Sequence, residues 1–316
     1  MKTAIMGAGG LGSYIGGRMV KAGHDVTFIA RGDHLQALLD NGLKVKSDFG
    51  DFQIEKVNAV SNPGDIGKVE LVFFCVKSYD AMAATRFIKP IVNKGSLIIP
   101  VLNGIDHINI LGEELGLDPV LGGVAMIVAH LRKPGFIEQI GQFHFIEFGE
   151  TRGGNSERCA NLQKILTGTG IEFRAIPNIM ERMWWKLCIV SGFAGVYSVV
   201  RANKAVILKS PETMDLLRQA ILEAISVAQA NGIDLSTEIA DEILDSQKNT
   251  PPEYKPSMLI DLEKGKRIEL EAIIGVITRL GKNLGVPTPV NNFIYACLKP
   301  YENGSFDLGR LQLVDD

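Results

Sequence analysis

The chain has 316 residues, of which 46% are hydrophobic and 22% charged, and its formal net charge is −3. This composition is typical of a globular protein with room for two domains, and the charge argues against nucleic acid or an anionic membrane surface as the main partner. The four cysteines are scattered without a CxxC pair, so we expect a reducing compartment, no disulfides and no metal site.

The chain opens directly into a strand-like segment, and we therefore expect no signal peptide. No apolar run reaches the length of a membrane span without a charge, and the nearest approach, at residues 187–200, is too short. These features predict a cytoplasmic protein without a membrane segment.

The first predicted elements are a strand at 2–6, a helix at 13–22 and a strand at 25–30, with a glycine-rich turn after the first strand. The turn has the GxGxxG spacing of dinucleotide-binding proteins in the context that this motif requires. The N–H groups and positive dipole end of the helix would face a pyrophosphate. The predicted cofactor-binding residues are Gly7, Ala8, Gly9, Gly10, Leu11 and Gly12. The alternative is a tight turn that binds no nucleotide.

The residue after the second strand, Arg31, indicates which dinucleotide would bind. NAD-binding units usually carry Asp or Glu there to bind the ribose hydroxyls, whereas Arg31 can pair with a 2′-phosphate through its planar guanidinium. Asp33 and His34 lie beyond the strand and are less well placed. We therefore predict NADP(H), with a solvated surface arginine as the alternative.

The rest of the first half alternates between strand and helix patterns, which predicts a doubly wound parallel sheet of Rossmann type. Predicted helices lie at 34–41, 80–89 and 156–167, and predicted strands at 70–76, 96–102, 120–129 and 172–176. A hairpin is expected over 43–59, and antiparallel strands over 136–149 are expected to close the sheet.

Two polar residues follow strands of this predicted sheet. Lys77 comes after the strand at 70–76, and Asn103 after the strand at 96–102. Ligands bind outside the carboxyl ends of strands in open α/β sheets. We therefore expect both side chains beside the cofactor.

Strand patterns almost vanish after residues 177–178. Helices are predicted from there to about 200, from 211 to just before 232, and at 236–247, 256–264, 267–283 and 289–299, with a proline-rich loop at 249–256. We therefore predict an NADP-binding Rossmann-type domain over 1–177 and an all-helical substrate and catalytic domain over 178–316.

Lys186 is the one charged residue between 183 and 200 in a nearly apolar predicted helix. Such a helix is at least partly buried, and burial would lower the pKa of the lysine toward the working range of a general acid. The alternative is a lysine that snorkels to the surface.

A second candidate segment runs from Ser257 to Glu271. Ser257 could bind a ligand or merely cap the helix that follows. Glu269 and Glu271 begin the next predicted helix, where acidic residues are commonly only partners of the helix dipole.

Together these motifs resemble those of the ketopantoate reductase (2-dehydropantoate 2-reductase) family. The resembling segments are GAGGLG at 7–12, Arg31, CVKS at 75–78, LNG at 102–104, WWKL at 184–187, and PSM at 256–258 with Glu269 and Glu271 following. The resemblance covers nearly the whole chain and implies a Rossmann domain, a helical domain and a cleft between them. It also implies NADPH-dependent reduction of a branched 2-oxo acid to pantoate, a step of pantothenate and coenzyme A biosynthesis.

The resemblance implies roles on the substrate side of the site. Lys186 would give the proton to the carbonyl oxygen, and Asn103 would contact both nicotinamide and substrate. Ser257 would hold the substrate carboxylate, and Glu269 would orient the cofactor or the substrate hydroxyl. Asn203 matches a further substrate-binding asparagine of the family.

On the cofactor side, the resemblance gives Arg31 the 2′-phosphate and places Lys77 by the nicotinamide ribose. Ala129 would offer its backbone to the cofactor. The partner would thus be a small-molecule 2-oxo acid. The oligomeric state stays open, with a homodimer as one option.

Val190 and Ala194 depart from the family pattern, which usually has asparagines four and eight residues after the catalytic lysine. Two polar contacts to the substrate are therefore missing, which removes discrimination for a hydroxyl. Ketopantoate is the leading candidate substrate, and a less polar 2-oxo acid is the alternative.

Two other interpretations fit less well. A non-catalytic NADP(H)-binding module would need only the first domain, and the presence of Lys186, Asn103 and Glu269 argues against it. A hydroxyacyl-CoA-type dehydrogenase would need a His–Glu pair, whereas His130 and His144 fall in the first domain.

Overall fold

The computed structural model describes residues 1–246 and 250–305. The chain divides into two compact units, Met1–Met183 and Trp184–Asp316. The first is α/β and the described part of the second is helical, as the sequence predicts. The division lies slightly beyond residue 177 because Ile179 and Met183 are buried in the core of the first unit.

Five parallel strands form the central sheet of the first unit, in the order β5-β2-β1-β6-β7. They are β1 (Lys2–Met6), β2 (Asp25–Ile29), β5 (Asn58–Val60), β6 (Leu71–Phe74) and β7 (Leu97–Pro100). The strand order reverses between β1 and β6, which is the switch point of a doubly wound sheet. Four strands are confirmed, whereas β5 lies in a stretch that we assigned to a hairpin.

Four helices of the first unit accompany the two faces of this sheet, namely α1 (Gly10–Lys21), α2 (Gly32–Asn41), α3 (Ala81–Ile88) and α4 (His107–Leu115). A fifth helix, α5 (Glu157–Leu166), packs on strands of a second sheet. Successive β1 residues alternate between two hydrophobic clusters: Ile5 lies with Tyr14 of α1, and Ala4 with Ala84 of α3. Burial of both faces explains why these strands are continuously apolar. Helix α4 was not predicted.

A second sheet carries the order β10-β9-β3-β4, with β8 pairing β9. Its strands are β3 (Leu43–Ser47), β4 (Phe52–Ile54), β8 (Leu121–Lys133), β9 (Phe136–Glu150) and β10 (Glu172–Ala175). The β3–β4 hairpin is confirmed. The prediction that residues 136–149 close the central sheet was wrong, because β9 pairs along its length with β8 and the two strands satisfy each other's backbone groups.

Helix α6 (Ile179–Val200) runs from the first unit into the second. Among the described residues it is long and apolar enough to cross a membrane, but 67% of its most apolar window is buried inside the protein. The predicted run at 187–200 is thus part of a longer helix. Core helices of globular proteins are equally apolar.

The other helices of the second unit include the predicted ones and a short helix, α7, that was not predicted. They are α7 (Lys204–Ile207), α8 (Pro211–Ala230), α9 (Ile239–Ser246), α10 (Ser257–Glu263), α11 (Val276–Leu284) and α12 (Pro289–Leu298). A π-helical segment, Glu271–Gly275, leads directly into α11. The predicted start at 267 was too early, because residues 266–269 are irregular. Gln247 and Asn249, the ends of a predicted helix and loop, lie outside the described residues.

Candidate functional site

Four strands of the central sheet end in one row. Met6 pairs with Ile29 and Phe74, and Phe74 pairs with Pro100. The segments leaving this row carry the glycine-rich turn, Arg31, Lys77 and Asn103. The structure therefore brings these predicted residues to the edge of the sheet where open α/β proteins bind ligands.

The glycines of the turn meet different surroundings. Gly7 has φ +92°, and a Cβ on it would lie 2.9 Å from the Val76 backbone. A Cβ on Gly12 would lie 2.2 Å from the Gly7 carbonyl oxygen, so this glycine allows close packing of helix and strand. A Cβ on Gly9 would meet nothing within 4 Å. The open space at Gly9 is therefore free for a ligand to approach the backbone.

Ala129 reaches this turn from the second sheet. Its carbonyl oxygen would lie 2.2 Å from a Cβ placed on Gly10, so the two backbones are in direct contact. Ala129 therefore lies beside the glycine-rich turn, and its predicted backbone contact with the cofactor stays a prediction.

The start of α1 suits an anion. Its N-cap residue is Gly9, no side chain caps it, and its first turn contains no acidic residue. A twelve-residue helix presents unpaired N–H groups and a partial positive charge at this end. The residues therefore fit a pyrophosphate group, which would bring the compensating negative charge.

Arg31 lies at the N-cap position of α2, and its side chain is 91% exposed. Its guanidinium is 3.6 Å from the carboxylate of Asp80, a residue that the sequence argument did not single out. An exposed ion pair of this kind is weak. A 2′-phosphate could therefore replace Asp80 as the partner of the guanidinium at little cost in free energy.

Lys186 lies on α6 as the third residue of the second unit and is partly buried. Burial lowers the pKa of its ammonium group to about 8, and the charge of Glu269 opposes that effect. Glu269 itself is 6% exposed and lies just before the π-helical segment. The second unit thus pairs a desolvated lysine with a buried carboxylate, which is typical of a tuned acid–base site.

Ser257 is exposed and is the first residue of α10. The N-cap residue is Pro256, and no side chain caps the helix. The interpretation of Ser257 as a helix cap was therefore wrong. Its predicted contact with the substrate carboxylate stays open.

Asn203 is the N-cap of α7, where its side-chain oxygen accepts a hydrogen bond from the Val206 N–H at 3.3 Å. The Lys204 N–H donates to the Tyr254 carbonyl at 3.1 Å, and the Lys204 side chain donates to the Thr250 carbonyl. Asn203 therefore shapes the helix that anchors the segment leading to Ser257. A direct substrate contact by Asn203 stays a prediction.

Val190 and Ala194 share one helical face with Lys186. Val190 is partly buried and Ala194 is 1% exposed. On the neighbouring face, the Ser191 hydroxyl donates to the Cys188 carbonyl at 3.1 Å. The hydroxyl hydrogen of Ser191 is therefore used in a bond within its own helix. On the face that carries Lys186, positions 190 and 194 are both apolar.

Comparison with known proteins identifies the family. The family model described as ketopantoate reductase PanE/ApbA matches residues 3–153, and the model of its C-terminal region matches residues 178–302. The chain belongs to the ketopantoate reductase family. It therefore stands among the NAD(P)H-dependent oxidoreductases that act on 2-oxo acids.

Individual relatives of this family member carry different names. An uncharacterized oxidoreductase, YkpB, of Bacillus subtilis is 30% identical over 96% of this chain and 99% of its own length. The crystal structure of 2-dehydropantoate 2-reductase from Geobacter metallireducens is 30% identical, with a TM-score of 0.90 over 95% of this chain and 99% of that one. A complex of D-mandelate dehydrogenase with NADH is 25% identical, with a TM-score of 0.86 over 96% and 99%.

Proposed function

We propose that this protein uses NADPH to reduce a 2-oxo acid to the 2-hydroxy acid, with ketopantoate as the first candidate substrate. The observation that carries the proposal is the Lys186–Glu269 pair, because burial has moved the lysine pKa to about 8. A lysine with this pKa is largely protonated at neutral pH and can still release its proton. Ketopantoate reduction would make pantoate, a precursor of pantothenate and coenzyme A.

In the proposed reaction, NADPH supplies a hydride to the carbonyl carbon. Lys186 holds a proton on Nζ and delivers it to the carbonyl oxygen as negative charge develops there. The carboxylate of Glu269 favours the charged lysine and so keeps the proton in place before transfer. We assign Asn103 a contact with nicotinamide and substrate, and Ser257 and Asn203 contacts with the substrate.

The first unit would hold the cofactor, and the second would supply the substrate and catalytic residues. The turn 7–12 would bind the pyrophosphate, Arg31 the 2′-phosphate and Lys77 the nicotinamide ribose, and Ala129 would offer its backbone to the cofactor. Support for NADPH over NADH comes from Arg31 and from the absence of Asp or Glu directly after β2. Glu269 would also orient the cofactor or the substrate hydroxyl.

A less polar 2-oxo acid is the second candidate substrate. Val190 and Ala194 offer no hydrogen bond on the face that carries Lys186, so they favour a substrate without a hydroxyl. The similarity to D-mandelate dehydrogenase, at 25% identity, agrees with such a substrate because that enzyme's name denotes an aromatic 2-hydroxy acid.

The test is NADPH oxidation by the purified protein with a panel of 2-oxo acids that includes ketopantoate, its deoxy analogue and aromatic or branched-chain members. Turnover with ketopantoate as the best substrate would support the first candidate, and preference for an apolar member the second. Binding of NADPH without turnover of any member would indicate a non-catalytic module instead. We further propose a cytoplasmic location, in keeping with four cysteines that form no disulfide.

A further inference from the structure

A chain of hydrogen bonds contacts the glycine-rich turn from its buried side. The Ser13 hydroxyl donates to the Ala8 carbonyl at 3.0 Å and lies 3.1 Å from Nε2 of His34. The Gly135 N–H, in the turn between β8 and β9, donates to Nδ1 of the same ring at 3.0 Å. Ser13 is fully buried and His34 is 9% exposed.

We call the hydrogen bonds from Gly135 through His34 and Ser13 to Ala8 the relay. The donor and acceptor of each bond follow from the contact at Gly135. Because Nδ1 of His34 accepts a backbone N–H, the neutral ring carries its proton on Nε2. That proton points at Ser13, whose oxygen accepts it and whose own hydrogen then goes to Ala8. Burial lowers the pKa of His34 more than a hydrogen bond with the Ala8 backbone raises it, and the lowered pKa agrees with a neutral ring.

The relay determines how the Ala8–Gly9 peptide is oriented. The carbonyl of this peptide belongs to Ala8 and accepts from the Ser13 hydroxyl at 3.0 Å. The N–H of Ala8 lies in the preceding peptide, which is fixed separately by donation to the Ile29 carbonyl at 3.3 Å. In a trans peptide the C=O and the following N–H point in opposite directions. Holding the Ala8 carbonyl toward Ser13 therefore turns the Gly9 N–H away from the protein interior, on the residue whose Cβ position is open.

We propose that Ser13 and His34 are positioning residues for the dinucleotide pyrophosphate, because they hold the Gly9 N–H ready to donate to it. This inference rests on the proposed function in one respect, namely that the turn binds a dinucleotide. Neither residue touches the ligand in this proposal. His34 acts through Ser13 and through its own hydrogen bond with the Ala8 backbone, and Ser13 acts through the peptide that it holds.

The test measures dissociation constants of NADPH and NADH for the full chain and its variants. Ser13→Ala should weaken both cofactors by the same factor, about three- to tenfold, which corresponds to one hydrogen bond. The pyrophosphate is common to both cofactors, so the loss should not depend on the 2′-phosphate. Arg31→Ala, in contrast, should weaken NADPH alone.

Two replacements of His34 distinguish the roles of its two ring nitrogens. In His34→Asn the amide can still accept from Gly135 but no longer reaches Ser13, and in His34→Gln the amide N–H can still reach Ser13. We expect His34→Asn to weaken both cofactors about as much as Ser13→Ala, and His34→Gln to weaken them less. Because both variants are of similar polarity, a merely structural role would not rank them in this order.

Ser96→Ala is the matched control. Ser96 is 1% exposed and donates to the Val69 carbonyl at 2.6 Å, so its loss also removes a buried hydrogen bond of the same unit. It should lower the thermal unfolding midpoint without changing either dissociation constant. Unchanged affinities in Ser13→Ala and His34→Asn, with a wild type that binds both cofactors, would overturn the relay alone. A wild type that binds neither cofactor would overturn the proposed function as well.

Discussion

Replacing Glu269 with Gln should move the alkaline limb of the pH–activity profile, where the reductase activity falls, to lower pH. The proposed general acid, Lys186, must be protonated to act, so activity is present below its pKa and is lost as the pH rises through it. The Glu269 charge raises that pKa against the effect of burial. A neutral glutamine of the same size removes the charge while keeping the volume.

The expected size of this pH shift follows from the pKa of Lys186. Its pKa falls from 10.5 to about 8, which disfavours the charged form by about 3 kcal/mol. A nearby opposite charge typically moves a pKa by about 1 to 3. Loss of the Glu269 charge should therefore shift the midpoint of the limb by about 1 or more toward lower pH, with an activity loss of about fivefold or more at pH 8.

The assay is kcat/KM for NADPH oxidation as a function of pH, with the best 2-oxo acid of the panel. This ratio reports the ionisation of the free enzyme. Glu271→Gln is the matched control, because the Glu271 carboxylate accepts from Tyr295 at 2.6 Å and from Lys299 at 2.5 Å, whereas the charge that raises the pKa of Lys186 is that of Glu269. An alkaline limb at the same pH in wild type and Glu269→Gln would refute the assignment of Lys186 as the acid tuned by Glu269.

Three further outcomes are expected. Arg31→Ala should weaken NADPH by roughly 1.5–3 kcal/mol, the range for a hydrogen bond to a charged group, and leave NADH nearly unchanged; equal affinity of the wild type for both cofactors would contradict this. Lys186→Ala should lower kcat by about 10²- to 10⁴-fold with a smaller effect on NADPH binding, and a folded variant with full kcat would show a structural lysine. In the wild type, ketopantoate and its deoxy analogue should differ only modestly in kcat/KM, and asparagines at Val190 and Ala194 together should raise the preference for ketopantoate; a wild-type preference above roughly 10³-fold would show that another polar group binds the hydroxyl.

Much of the fold was predictable because the relevant signals are local. The strand β1, the glycine-rich turn and α1 follow one another within 21 residues, and each is set by periodicity or by the steric needs of glycine. The helices of the second unit carry their own start and stop signals, such as Ser210, which caps α8. Such features depend on neighbours in the chain, so the sequence alone determines them.

The second sheet depended on partners that are distant in sequence. Strand β9 alternates like any antiparallel strand, and its pattern does not say which sheet it joins. It pairs with β8 and also lies parallel to β3, some ninety positions earlier, with Val45 opposite Ile137. Strand β5 has three residues and too little pattern to separate it from the hairpin before it.

For the candidate site, the sequence alone determined which residue types follow the strands and that Lys186 lies in an apolar helix. Tertiary structure alone showed that Asp80 faces Arg31, that Glu269 acts on Lys186 and that His34 supports the glycine-rich turn through Ser13. Each of these contacts joins different elements of one unit. Charge and hydrogen-bond interactions act over a few ångströms in space, and separation along the chain does not reveal which groups come that close.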